Sequence, residues 1–263
     1  MTLDIERHGD VTRLRMSSWA TRAVRLDVSA YVIRGVMIDT GFRRLRHELL
    51  RAVRELNIRG AIVTHWHEDH AGNAAELSAL GVPIAMREDT RAILRRPPDI
   101  QVYRRVVWGR PPALVSESPG LDAEGLETIH TPGHSTDHQV AWDQATRTLF
   151  SGDLWLGVRA RVLHASEDPY RIIDSLRLVA ALEPARMFDA HRGVVERPAD
   201  ALRAKIDWLG ATLADIERRI HRGERDRQIV REALGGEEMA AVVSHGDYSR
   251  RNLVKAVRRR LSS

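Results

Sequence analysis

An α/β protein of layered sheets and helices is predicted by two features of the 263-residue sequence. Short segments that are apolar or alternate in polarity recur in both halves of the chain, and segments with leucines at helical spacing stand between them. Strands with interspersed helices are typical of layered α/β folds. The sequence therefore predicts one α/β domain over 1–198 and a helical C-terminal extension, packed on the same domain, over 199–263.

The elements of the first hundred residues follow from their side-chain patterns. Residues 11–16 alternate in polarity, and residues 24–33 are rich in β-branched and apolar side chains, so both are predicted to be strands. Residues 42–57 carry leucine and valine at helical spacing and are predicted to be a helix. The other elements predicted here are strands at 36–39, 60–64 and 83–86 and helices at 73–80 and 88–96.

A long connection is predicted over 97–125, where five prolines and three glycines are expected to break any regular element. Long loops inside compact domains are usually functional or mobile. Tyr103 and Trp108, with the proline-rich segment around them, would form either an apolar lid or a packed surface excursion.

The second half of the chain returns to strand and helix patterns. Its predicted elements are strands at 126–130, 139–142 and 148–151, a helix at 170–182 and a last strand at 186–189. After Ala199, leucine and isoleucine recur at helical spacing, with breaks at Gly223 and at Gly235-Gly236. This region is predicted to be a helical subdomain.

Composition excludes several classes of protein. The sequence has no cysteine, which excludes disulfides, thiolate metal sites and cysteine nucleophiles. No apolar run approaches the ~20 residues of a membrane span. The N-terminal segment begins with charged residues and lacks the apolar stretch of a signal peptide. We therefore expect a cytoplasmic protein with no membrane contact.

The net charge of +5 is concentrated near the C-terminus, because residues 201–263 carry 14 basic and 9 acidic residues. Such a surplus is typical either of a patch for an acidic partner or of a solvated helical face. The sequence leaves both interpretations open.

The segment 64–73 holds the densest group of metal-ligating side chains in the sequence. His65, His67, Asp69 and His70 fall within six residues, directly after the apolar strand at 60–64. At a strand end, side chains at alternate positions share one direction and the next turn brings others round to them. Imidazole nitrogens and carboxylates are ligands that suit zinc and similar divalent metals.

Three further candidate ligands also follow predicted strands. His134 lies on a Pro-Gly turn after the strand at 126–130, while Asp153 and His191 stand just beyond the strands at 148–151 and 186–189. If these strands are neighbours, their ends gather at one edge, where sites in α/β proteins usually form.

At these positions the sequence resembles the metallo-β-lactamase-fold hydrolases, from about residue 24 to residue 195 and including the turn Asp39-Thr40-Gly41. The resemblance implies a four-layer αββα sandwich with a dinuclear metal site at one edge. It also implies two divalent metal ions, with Zn²⁺ expected and iron or manganese as alternatives. The implied ligands are His65, His67 and His134 at the first position, Asp69, His70 and His191 at the second, and Asp153 bridging both.

The bridging residue distinguishes branches of this family. True β-lactamases of the fold usually have cysteine or serine there, whereas Asp153 is similar to the aspartate of glyoxalase II-like thioesterases, lactonases and nuclease-like members. The resemblance thus implies a metal-dependent hydrolase in which a metal-bridging hydroxide attacks a carboxylic ester, thioester or lactone carbonyl of a small molecule. Asp69 would be both a ligand and the catalytic residue that orients the nucleophile and moves its proton.

Other functions stay open. A phosphodiesterase or nuclease of the same fold would use the basic C-terminal region to bind nucleic acid. A β-lactamase is disfavoured by the bridging aspartate, and a quorum-sensing lactonase by Leu156, which stands where those enzymes carry tyrosine. A metal-binding module without catalysis is disfavoured by the seven intact ligands.

Three more side chains have a functional and a structural interpretation. His138 is predicted to be a hydrogen-bonding partner of a ligand rather than a ligand. Tyr170 would either donate to an oxyanion or belong to the core, and His164 would either touch substrate or lie in its loop without a role. The oligomeric state is open, a homodimer being the common arrangement.

Overall fold

The computed structural model describes residues 1–23, 26–116, 119–123 and 125–262. Its contacts divide the chain into two compact units, each built from segments that are distant in sequence. The first unit comprises Met1–His130, Asp137–Asp153 and Ala185–Glu196, and the second comprises Thr131–Thr136, Leu154–Pro184 and Arg197–Ser263. The second unit thus takes in more than the predicted extension over 199–263, and a domain boundary at that point stays a prediction.

Thirteen strands, ten α-helices and one 3₁₀ helix (Arg43–Leu45) are assigned among the described residues. The strands are β1 (Thr2–His8), β2 (Val11–Ser17), β3 (Val28–Ile33), β4 (Val36–Ile38), β5 (Gly60–Ile62), β6 (Ile84–Ala85), β7 (Leu126–His130), β8 (Gln139–Asp143), β9 (Thr148–Phe150), β10 (Leu163–His164), β11 (Arg186–Asp189), β12 (Gly193–Val194) and β13 (Tyr248–Ser249). The helices are α1 (Trp19–Ala23), α2 (Arg46–Glu55), α3 (Ala74–Ala79), α4 (Glu88–Arg95), α5 (Val102–Val107), α6 (Pro169–Ala180), α7 (Pro198–His221), α8 (Asp226–Ala233), α9 (Met239–Val243) and α10 (Arg251–Leu261).

The first sheet of the first unit contains six strands in sequence order, from β1 to β6. Its first four strands are antiparallel neighbours, whereas β4, β5 and β6 run parallel because helices connect them. One face of this sheet packs on leucines of α2 and α3, such as Leu49 and Leu77, which are fully buried. The predicted strand at 24–33 begins at Val28, while Val24 and Arg25 lie outside the described residues.

The second sheet has the order β12-β11-β9-β8-β7 and is also mixed, since β9 and β11 are parallel and the other pairs are antiparallel. The two sheets pack face to face through a buried cluster that includes Tyr31, Phe150 and Phe188. The Tyr31 ring lies 5.7 Å from that of Phe150 and 5.2 Å from that of Phe188. Two mixed sheets flanked by helices confirm the predicted fold class, and their common core places the strand ends of both sheets side by side.

The expectation that no regular element forms over 97–125 is wrong. The helix α5 (Val102–Val107) lies inside this segment, because residues 99–110 contain no proline and leave room for a short helix. Trp108 follows the helix and is buried against Phe42, with ring centroids 5.3 Å apart. Trp108 is therefore a packed core residue, and residues 117, 118 and 124 of the connection lie outside the described part of the chain.

The second unit is mainly helical. Buried leucine, isoleucine and valine side chains of α7, α8 and α10 form its interior, including Leu202, Leu213, Ile229, Leu253 and Val257. The predicted breaks are present, since α7 and α8 end two residues before Gly223 and Gly235, both with positive φ.

The interpretation of 186–189 as the last strand is wrong, because β12 and β13 follow it. Both of these strands have only two residues, which is too few to carry a polarity pattern. Within the residues that the structure describes, no helix is both long and apolar enough to span a membrane.

Candidate metal centre

The loop that carries the histidine-rich motif is fixed where β5 ends. The amide and hydroxyl of Thr64 both donate to the carboxylate of Asp39, at 2.8 and 2.9 Å. From the second sheet, the amide of Gln139 donates to the carbonyl of Thr64 at 2.9 Å. The first ligand candidate, His65, is therefore anchored from both sheets of the first unit and is fully buried.

His65, His67 and Asp153 form the first group of converging donors. The Nε2 atom of His65 lies 2.9 Å from Nδ1 of His67. Each of the three residues offers a donor atom, and these atoms lie within 4.8 Å of one another. Such spacing between buried donors suits a single metal ion.

Asp69, His70 and His191 form the second group, again with donor atoms within 4.8 Å of one another. Oδ2 of Asp69 lies 3.8 Å from Nε2 of His70 and 3.6 Å from Nε2 of His191. Asp153 stands beside this group too, because its Oδ1 lies 3.1 Å from Nε2 of His70 and 3.3 Å from Nε2 of His191. Asp153 is therefore adjacent to both groups.

The outer nitrogens of three of these histidines are occupied by oxygen atoms. Nδ1 of His70 lies 2.7 Å from Oδ2 of Asp39, Nδ1 of His65 lies 3.0 Å from the Thr64 hydroxyl, and Nδ1 of His191 lies 3.0 Å from the carbonyl oxygen of residue 27. Partners of this kind fix the ring orientation of metal-binding histidines. They leave Nε2 of His70 and His191 to face the carboxylates of Asp69 and Asp153, and Nε2 of His65 to face His67.

The site is strongly negative in its centre. Burial lowers the pKa of His191, but the charges of Asp153 and Asp69 outweigh it and raise that pKa to about 9. The same carboxylates, with Asp39, raise the pKa of His70 well above its ordinary value against the effect of burial. Two buried carboxylates require compensating positive charge, and their combination with four imidazoles fits divalent metal ions.

His134 belongs to the second unit. It is buried on the segment 131–136, and its Nδ1 lies 2.9 Å from Oε1 of Glu167, which is buried as well. Its assignment to the first metal position stays a prediction from the sequence.

The three side chains with open interpretations, His138, Tyr170 and His164, each contact another residue of their own unit. Nε2 of His138 accepts the amide N–H of Asp153 at 3.1 Å, in agreement with its predicted role as the partner of a ligand. In the second unit, the Arg260 guanidinium lies 5.6 Å from the centre of the Tyr170 ring, and the ring of His164 lies 4.9 Å from that of Tyr248. A contact of Tyr170 or His164 with substrate stays a prediction.

Sequence reasoning missed a buried ion pair next to the ligands. Glu68, between His67 and Asp69, receives two hydrogen bonds from Arg104 of α5, at 2.5 and 2.9 Å. Burial raises the pKa of Glu68 above its ordinary value, and the charge of Arg104 opposes that rise. Nothing in the connection 97–125 marked Arg104, because the contact joins positions that are 36 residues apart.

The comparison with protein families agrees with this geometry. The model of the metallo-beta-lactamase superfamily matches residues 23–191, which is more than half of the chain. The chain therefore belongs to the metallo-beta-lactamase superfamily.

Individual relatives are more distant. A beta-lactamase-like protein 2 homolog of Drosophila melanogaster is 27% identical over 75% of this chain and 63% of its own length. An atrochrysone carboxyl ACP thioesterase of Aspergillus fumigatus is 25% identical over 79% of this chain and 63% of its own length. The chain thus spans less than two thirds of either relative.

Among solved structures, a metallo-beta-lactamase family protein of Thermus thermophilus superposes with a TM-score of 0.70 and 16% identity. The match covers 96% of this chain and 94% of that protein. At this identity the likeness concerns the fold.

Proposed function

We propose that this protein is a metal-dependent hydrolase that cleaves a carboxylic ester, thioester or lactone. The observation that carries the proposal is the position of Asp153, whose Oδ1 lies 3.1 and 3.3 Å from Nε2 of His70 and His191 while Asp153 also belongs to the group of His65 and His67. A carboxylate adjacent to two groups of donors is what a dinuclear site requires.

The proposed ligands combine the two groups with the resemblance seen in the sequence. The first metal position would take His65 and His67, with His134 added on the resemblance alone. The second would take Asp69, His70 and His191, and Asp153 would serve both. When bound, divalent ions supply Lewis acidity and lower the pKa of water. Zn²⁺ is the metal we propose, and iron or manganese would suit the same ligands.

Asp69 is the proposed catalytic residue. Its side chain is 9% exposed, and its Oδ2 faces Nε2 of both His70 and His191. From there the carboxylate would orient the attacking water and take up its proton. The amide of Asp153 donates to Nε2 of His138, and this hydrogen bond holds the chain in place just after β9. The carboxylate of Asp153 would therefore not have to reorganise.

A small acyl ester or thioester is the proposed substrate. The bridging aspartate favours carbonyl hydrolysis of this kind over β-lactam hydrolysis, and the similarity to the fungal protein named as an ACP thioesterase supports a thioester. The cytoplasmic location and the homodimer stay predictions of the sequence.

Nucleic acid is a less favoured substrate because arginines of the C-terminal region have acidic partners within the second unit. Arg219 lies 3.0 Å from Asp215 and 2.9 Å from Glu224, and Arg258 lies 2.7 Å from Asp226. Paired arginines contribute less to phosphate binding than arginines without acidic neighbours.

One parallel hydrolysis assay tests the proposal. Metal-loaded wild-type protein and Asp69→Asn are given an acyl thioester, an ester, a lactone, a β-lactam, a phosphodiester and a short RNA. We expect turnover of carbonyl substrates that falls by about 100-fold or more in Asp69→Asn. Asp174→Asn, at an exposed position of α6, is the matched control and should keep wild-type turnover. Turnover of only the phosphodiester or the RNA would overturn the proposal in favour of the nuclease alternative.

A further inference from the structure

We propose that Glu167 is a positioning residue for His134, which it orients so that Nε2 is the metal-binding atom. The inference rests on the proposed role of His134 as a ligand of the first metal position. It adds a residue that no motif of the sequence marks.

The contact itself is short and buried. Oε1 of Glu167 lies 2.9 Å from Nδ1 of His134, and the two side chains are only 7% and 4% exposed. The negative charge of a carboxylate at this distance favours a proton on Nδ1, which leaves the lone pair of the ring on Nε2. The tautomer that binds a metal through Nε2 is therefore the one that Glu167 favours.

The backbone around His134 is fixed on the first two turns of α6, and Asp168 alone separates Glu167 from the start of that helix. The Asp168 amide donates to the carbonyl of Gly133 at 2.8 Å, and the Ser175 hydroxyl donates to the carbonyl of Pro132 at 2.7 Å. Gly133 has a φ of 138°, and a Cβ atom there would lie 2.5 Å from the amide nitrogen of Ile172. Only glycine lets the loop approach the helix this closely, and this approach brings His134 within reach of Glu167.

A matching arrangement is present in the first unit. Oδ2 of Asp39 lies 2.7 Å from Nδ1 of His70, whereas Nδ1 of His65 and of His191 contacts a neutral hydroxyl or carbonyl oxygen. With Glu167, each proposed metal position would have one histidine whose outer nitrogen contacts a carboxylate. A carboxylate partner makes the imidazole a stronger ligand than a neutral partner does.

The test is a metal titration. Metal-free wild-type protein, Glu167→Gln and the control Glu232→Gln, at an exposed position of α8, are titrated with Zn²⁺ against a chromogenic chelator. We expect two ions to bind to the wild type and to the control. In Glu167→Gln we expect one of the two affinities to fall by about 10–100-fold and the other to stay unchanged.

His134→Ala supplies the second measurement. If Glu167 acts through His134, adding Glu167→Gln to His134→Ala weakens zinc binding no further. Wild-type affinity at both positions in Glu167→Gln would refute the role of Glu167 and leave the proposed function intact. Equal weakening of both positions, together with a lower melting temperature of the metal-free variant, would show a general structural role and equally refute the inference. Binding of fewer than two ions by the wild type would overturn the dinuclear site itself.

Discussion

Replacing Arg104 by methionine removes the positive partner of a carboxylate that lies between two proposed ligands. The side chains of Arg104 and Glu68 are 5% and 2% exposed, and two hydrogen bonds join them. The guanidinium also lies 5.7 Å from the centre of the Trp66 ring. Methionine fills a similar volume without a charge, so the substitution tests the ion pair with little change in packing.

The expected loss of stability follows from these contacts. Two hydrogen bonds to charged groups contribute about 3–6 kcal/mol together, and removing one partner of a buried ion pair costs about 3–5 kcal/mol because the other charge stays buried. We therefore expect the free energy of unfolding to fall by about 4 kcal/mol. A loss of this size is a large fraction of the total stability of a typical domain, which is about 5–15 kcal/mol.

Urea unfolding followed by circular dichroism measures this loss. At a slope of about 3 kcal/mol per molar urea, the midpoint of Arg104→Met should fall by about 1.3 M. The matched control is Arg105→Met, because Arg105 is the next residue of α5 and its side chain is 40% exposed. We expect the control to lose less than about 1 kcal/mol.

A double variant separates loss of the pair from loss of packing. Replacing both Glu68 and Arg104 by methionine removes the uncompensated charge and should regain most of the lost stability. The reasoning is refuted if Arg104→Met unfolds at the same urea concentration as the control, or if the double variant is less stable than Arg104→Met alone.

Two further predictions concern single contacts. In urea unfolding, Gly133→Ala should lower the free energy of unfolding by at least about 2 kcal/mol. The reason is that residue 133 has a φ of 138° and that a Cβ atom there would meet backbone atoms of Ile172. The control is Gly210→Ala on α7, which should lose no stability because a Cβ atom there meets nothing within 4 Å. Burial raises the pKa of Asp143, but hydrogen bonds from Arg34 and a threonine outweigh it and hold that pKa below the ordinary 3.8. This contribution to stability is present above pH 3.8 and is lost as the pH falls through the lowered value, so the stability difference between wild type and Arg34→Met should shrink on acidification. An unfolding series that gives the same difference at acidic and neutral pH would contradict this.

The fold class could be predicted, and six candidate ligands that the structure brings together could be named, because each depends on a local pattern. Asp153 and His191 stand directly after short apolar strands, and the sheets bring those strand ends together. Helix α5 differs from the prediction because the prolines that flank it indicate a break, although the run between them contains no proline. The strand β1 was missed because its side chains are mostly polar and partly exposed, so its alternation is weak.

The residues that lie beside the candidate ligands are of another kind. Arg104 reaches Glu68 across 36 positions of the chain, and Glu167 reaches His134 through the contact of a loop with α6. Neither pair has a fixed spacing, since the contact depends on how the connecting segments fold rather than on a period of the backbone. Local patterns therefore reveal which side chains can bind metal and cannot reveal their partners.

This difference bears on how function is inferred from a ligand signature. A chain that keeps every ligand but has a neutral residue in place of Glu167 or Asp39 would still match the signature, although its His134 or His70 would lose the partner that favours Nε2 as the donor. Metal affinity at the corresponding position would then fall while the pattern stayed complete. The carboxylates behind the histidines are thus a separate requirement for the proposed activity, and the zinc affinities of Glu167→Gln and wild type measure how much one of them contributes.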